Sequence, residues 1–204
     1  MGYYRHNETL ETIARKVISK YDPQLIQKPA AIPVEEIMEQ TYGLSLEYYQ
    51  LRRNGRILGE TIFETTDLPV YDPTVEGGYY FISVEAGTVL LESSLLDDKN
   101  NGRLRFTCAH ELAHWIIDRK YFMELGEPAY MSEKPNRSSE VSEQIERQAD
   151  RMAARILMPK CTLKKAFHEV RQYTRNPVTE LANLYQVSNQ AMEIRLKELG
   201  LIWL

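Results

Sequence analysis

The sequence predicts an α+β fold, and three observations predict it. Short runs rich in Val, Ile, Thr and aromatic residues, broken by glycines, fill residues 44–91. Apolar stripes at helical spacing flank that stretch on both sides, and from residue 160 onward only helical patterns remain. With 204 residues, 43% of them hydrophobic, the chain has room for one core-bearing domain and a small appendage. The expected division is 1–159 for the main domain and 160–204 for a helical C-terminal segment.

In chain order, residues 10–21 read as a helix with Ile13, Ala14, Val17 and Ile18 inward and Pro23 just beyond. Residues 32–38 open a second helix, with Pro33 at its start and Gly43 closing it. Strands follow at 44–51, 57–63, 79–84 and 88–91, and the last leads into a third helix. Its core stripe is Ala109, Leu112, Ala113, Ile116 and Ile117, with Thr107 as N-cap and Asp118-Arg119-Lys120 as a polar exit. Another stripe, Ile145, Ala149, Met152, Ala153, Ile156 and Leu157, marks a further buried helix. Between the two, residues 126–139 crowd Gly, Pro, Ser and charges, and read either as a loop over the cleft or as a plain connection.

The third helix carries His110-Glu111-Leu112-Ala113-His114. At about 100° per residue, His110 and His114 lie one turn apart on one face, where two imidazoles grip one zinc ion. Glu111 then stands beside the metal as a general base for an attacking water. A catalytic zinc needs a third protein ligand from another element. Glu140, Glu143 and Glu146 are the candidates; Glu146 is preferred because Asp150 follows one turn later on the same face. There a carboxylate orients a ligating histidine through its second ring nitrogen. The spacing by itself predicts a zinc hydrolase.

Two blocks extend that reading. Arg105-Phe106-Thr107-Cys108-Ala109-His110-Glu111-Leu112-Ala113-His114 resembles the "RFTxAHELxH" segment of the ImmA/IrrE-like zinc metallopeptidases. Glu146-x-x-Ala149-Asp150-x-x-Ala153-Ala154-x-x-Leu157-Met158-Pro159 is similar to their "ExxANxFAAxLLMP" block, departing from it at Asp150 and Met152. With residues 87–96 the resemblance covers about the middle third of the chain. It implies a zincin-like, gluzincin-type metallopeptidase core, a protein substrate that is a helix-turn-helix transcriptional repressor, and a cytoplasmic setting.

Composition agrees with an intracellular enzyme. Cys108 and Cys161, the only cysteines, read as packed positions rather than a disulfide framework. Cys108 falls about 200° around the helix from His110, off the ligand face. No run is apolar and long enough to span a bilayer, and the N-terminus carries no recognisable export signal. Net charge is −4, split into +3 for residues 160–204 and −7 for the rest. The acidic part offers no basic stripe for phosphates, so direct nucleic-acid binding is expected to be absent or weak.

Residues 178–196 resemble a helix-turn-helix, with Ser188 capping the second helix. As a DNA reader that helix would offer Asn189, Gln190 and Arg195. Its charge surplus is thin for phosphate binding, and the preferred reading is a helical cap on the core or a dock for a protein partner. The competing function is therefore a DNA-binding regulator with a structural or degenerate zinc site. Glu111 speaks against it, because a structural site has no use for a base. Tyr121, Tyr130, His168 and Tyr173 remain open as the oxyanion donor; His6 and His168 read as ordinary surface or structural residues.

Overall fold

Leu10, Ala14, Val17 and Ile18 recur at helical spacing, and α1 (Asn7–Tyr21) buries all four. The computed structural model describes residues 4–97, 101–125 and 139–203. α2 (Val34–Glu36) starts after Pro33, as expected, and continues as a π-helical turn to Thr41 before Gly43, at φ 65°, reverses the chain.

β1 (Ser45–Tyr49), β2 (Gly59–Thr61) and β5 (Thr88–Glu92) form a sheet ordered β1-β5-β2. β5 runs parallel to β1 and antiparallel to β2. All five residues of β5 are buried, because both faces are covered. Val89 and Leu91 face the helical core, and Leu90 packs with Leu51, Ile62, Leu68 and Val84 in a second cluster. A strand covered on both faces reads as a continuous apolar run, as this one does.

That second cluster lies under a ribbon of β3 (Thr66–Tyr71) and β4 (Tyr79–Val84). β3 is absent from the sequence reading because Asp67 and Pro69 interrupt its pattern. The Asp72 N–H donates to the Gly78 carbonyl at 3.0 Å. By alternation Pro69, opposite Phe81, falls at a non-hydrogen-bonded pair, where a missing N–H costs nothing.

α3 (Gly102–Ala113) begins at Gly102, after Asn101 in the left-handed region, rather than at Thr107. Thr107 is interior, and its hydroxyl donates to the Arg103 carbonyl at 3.0 Å. Asp118-Arg119-Lys120 is no exit either. The helix widens into a π-turn over His114–Asp118 and runs on as α4 (Arg119–Leu125), with Asp118 fully buried. The loop expected at 126–139 falls, up to residue 138, outside the described residues.

α5 (Ser139–Leu157) lies against α3, and small Ala109, Ala113, Ala149 and Ala153 at the seam permit close approach. α6 (Lys160–Val170), α7 (Pro177–Tyr185) and α8 (Asn189–Glu198) follow. Leu163, Phe167, Leu181, Tyr185, Met192 and Leu196 from these helices belong to the same core cluster as α1, α3 and α5. An ion network reinforces the join: Arg195 bonds Glu11 of α1 and lies 3.2 Å from Glu198, while Arg155 of α5 lies 3.4 Å and 3.6 Å from the same two carboxylates. Among the described residues no helix is long and apolar enough to cross a membrane.

Candidate metal centre

α3 and α5 cross so that His110, His114 and Glu146 converge. The two histidine Nε2 atoms are 2.9 Å apart, and Glu146 Oε2 lies 3.3 Å from the first and 3.7 Å from the second. Ligands about 2.0–2.1 Å from a tetrahedral ion would stand roughly 3.3 Å apart. The triangle therefore fits one ion bound by two imidazoles and a carboxylate. This is the set the sequence reading preferred. Glu143 instead pairs with Arg147 at 3.5 Å on an exposed surface of α5.

Each histidine is held by a carboxylate at its other nitrogen. His110 Nδ1 meets Asp150 at 2.9 Å and His114 Nδ1 meets Asp118 at 2.7 Å. Such contacts fix the ring so that Nε2 faces the centre. The sequence points to Asp150 in this role but not to Asp118, which reads there as part of a polar exit from the helix. Its signal was present, since Asp118 follows His114 by one turn. The two supports differ in setting. Asp118 is fully buried, whereas the Asp150 side chain is 57% exposed, so the centre is sealed on the His114 side and open on the His110 side.

Burial works against a charge on His110, but hydrogen bonds to Asp150 and Glu146 and the nearby Glu111 outweigh it, and its pKa is pushed up to about 10. Surrounding carboxylates thus make this a place that favours a cation. Cys108 takes no part. It is fully buried, and burial, aided by Glu35 and Glu111, pushes its thiol well above the ordinary range. Both cysteines are free, and Cys161 proves exposed rather than packed.

Glu111 faces β2 rather than solvent. Its Oε2 accepts a hydrogen bond from the Thr61 hydroxyl at 2.7 Å. A Cβ placed on Gly59 would sit 2.6 Å from Glu111 Oε1 and 2.7 Å from its Cγ, so only glycine allows the strand this close to the carboxylate. β2 is an edge strand. Leu58 and Ile62 make their ladder bonds toward β5, both at 2.9 Å. Alternation therefore turns the backbone groups of Gly59 and Thr61 outward, beside Glu111.

The other sequence candidates are placed as follows. Tyr121 packs against Phe122 with ring centroids 5.6 Å apart, and Tyr173 is 75% exposed. His168 stands edge-on to Phe167, and His6, exposed, precedes α1 beside Tyr4 without a side-chain capping bond. Tyr130 lies outside the described residues. Arg195, read as a possible DNA contact, is 1% exposed and committed to Glu11 and Glu198. Arg105, in the same block as the histidines, serves architecture: it donates to the carbonyls of Ile32 at 2.7 Å and Gln186 at 3.2 Å.

Comparison with known proteins adds three findings. No curated protein matches the sequence. A solved Mycobacterium tuberculosis transcriptional regulator shares the fold at 14% identity and a TM-score of 0.55, over 95% of this chain and 48% of its own. This chain thus spans about half of that protein's length. The model of the IrrE N-terminal-like domain, peptidase family M78, matches residues 86–197, from just before the central strand into α8. Matched over more than half its length, the chain belongs to the IrrE N-terminal-like peptidase family.

Proposed function

We propose that this chain is a zinc-dependent endopeptidase that cuts a protein substrate, with His110, His114 and Glu146 as metal ligands and Glu111 as the general base. The convergence of two imidazole nitrogens and one carboxylate oxygen next to a buried, strand-facing glutamate carries the reading. Zinc bound there would supply Lewis acidity, activating water and polarising a carbonyl.

The chain's own groups account for the rest. The outward backbone of Gly59 and Thr61 takes an extended peptide by strand addition, laying it across the front of Glu111. Thr61 holds one carboxylate oxygen of Glu111 and leaves the other, on the Gly59 side, to accept a proton from water and pass it to the leaving amine. Asp118 and Asp150 keep both rings in the tautomer that presents Nε2.

The family resemblance supports a helix-turn-helix repressor as substrate and the cytoplasm as the setting, and two free cysteines suit a reducing compartment. The alternative, a DNA-binding regulator with an idle metal site, draws on the name of the mycobacterial neighbour. Burial of Arg195 removes a main contact that reading needs. The test is Glu111→Gln, which keeps shape and removes the base. Zinc content should be unchanged, while cleavage falls by about 10²–10⁴-fold. Parental activity in this variant would sink the assignment.

A further inference from the structure

A groove of about 1180 Å³ runs from Asp150, which holds His110, along the C-terminal helix pair. Leu58, Thr107 and Asp150 line its near end. Leu58 precedes Gly59 on the edge strand, Thr107 lies against Gly59, and Asp150 holds His110. At its far end two helices begin side by side. A Cβ on Gly102, the first residue of α3, would lie 3.5 Å from the amide nitrogen of Ser188, the N-cap of α8. Both helices therefore open their electropositive ends into one space.

The charged residues on its walls fall into two sets. Asp150 is engaged by His110, and Glu198 and Arg195 are engaged with each other and with Glu11 and Arg155. Arg103 and Arg151 line the groove with no carboxylate partner among the described residues. Among the described residues the uncompensated charge of the groove is thus positive, in a chain whose net charge is negative. Phe106, Ala191 and Ile194, the last 54% exposed, add an apolar surface beside it.

Arg103 stands seven residues before His110 on α3, and Arg151 five residues after Glu146 on α5. At ~1.5 Å per residue they lie about 7–10 Å along the helices from the ligands. An extended peptide covers that distance in roughly two or three residues. We propose that this groove is an extended substrate subsite in which Arg103 and Arg151 select a peptide with an acidic side chain two or three residues to one side of the cut bond. The proposal rests on the peptidase reading. Two cations with no carboxylate partner among the described residues suit a carboxylate-bearing peptide better than a duplex, whose binding depends on neutralising many phosphates.

The test begins with binding, which needs no turnover. Full-length Glu111→Gln protein loaded with zinc is titrated with fluorescein-labelled Ala/Leu decapeptides carrying Glu, Gln or Lys at two central positions. The Glu peptide should bind about tenfold tighter than the Gln peptide, as charge-assisted bonds do. Adding Arg103→Gln and Arg151→Gln should bring that ratio near one, and Arg103→Glu with Arg151→Glu should turn preference to the Lys peptide. Equal binding of all three peptides, or a ratio untouched by these substitutions, would overturn the proposal. So would duplex DNA binding through these arginines at about 150 mM salt while the peptides fail.

Wild-type protein is then given an unbiased peptide mixture. Cut sites should carry Asp or Glu two or three residues away, and the Gln double variant should lose that bias. Cutting without acidic bias keeps the peptidase reading and removes the subsite. Acid-selective binding without any cutting removes the peptidase reading and leaves the groove as an acidic-peptide site.

Discussion

α3 and the α7–α8 pair each announce themselves by a local pattern, a His-Glu-x-x-His turn in one and a helix-turn-helix-like repeat in the other. The fold uses the two in opposite ways. On α3 the polar residues converge with those of α5 on one centre that is open on one side. On α8 the arginine best suited to reach a nucleic acid turns inward, where it binds Glu11 of α1 and Glu198. A motif fixes which side chains share a helix face. Packing decides whether that face meets a ligand or the rest of the protein.

The largest effect should come from the metal half. Glu146→Ala is expected to lower metal affinity by more than about a hundredfold, and Asp118→Asn by about 10–100-fold as an orienting carboxylate is lost. Asp150→Asn should cost less than Asp118→Asn, because water can replace an exposed partner but not a buried one. Glu143→Ala should leave affinity unchanged. Metal titration reads all four, and collapse in the Glu143 variant with survival in the Glu146 variant would break the ligand assignment.

The C-terminal half should answer with stability rather than chemistry. Arg195→Met leaves Glu11 and Glu198 with one buried cation between them. Removing one partner from a buried ion group typically costs about 3–5 kcal/mol. Denaturant unfolding should show that loss with metal affinity nearly intact; an unchanged midpoint would mean the network does not hold the join.

Gly59→Ala probes where the strand meets the base. The new methyl must displace the Glu111 side chain. A displacement of about 1 Å can cost on the order of a hundredfold in rate, and the expected outcome is a folded, metal-loaded protein with roughly that deficit. Retained activity would show that Glu111 works from another position. The smallest effect should be on DNA. Asn189→Ala with Gln190→Ala should change neither stability nor the weak, salt-sensitive binding expected of a helix whose arginine is buried. Tight sequence-selective binding in a gel shift, lost in this double variant, would reverse the contrast between the two halves.

Much of this was legible in the chain itself. The i, i+4 histidines, the Glu146 and Asp150 pair one turn apart, and the apolar stripes of α1, α3 and α5 are local facts set by helical periodicity; the structure brings the polar groups together and gathers the stripes into one core, apart from Ile145, which packs with Phe63 and Phe122. Thr107 misled because a threonine before an apolar run looks like a cap, while here it satisfies its hydroxyl within the helix. β3 was hidden because a proline at a non-hydrogen-bonded pair costs nothing in the ladder yet breaks the pattern on paper.

What the sequence by itself determined was which histidines and carboxylates share a helix face, their spacing within each helix and the α+β order of elements. The tertiary structure alone decided how the two histidine- and glutamate-bearing helices meet, which sheet edge faces Glu111 and whether Arg195 is free. Those outcomes depend on contacts between residues far apart in the chain, such as Gly59 with Glu111 and Glu11 with Arg195. Periodicity orders side chains around one helix axis, but only burial of the shared core sets one axis against another.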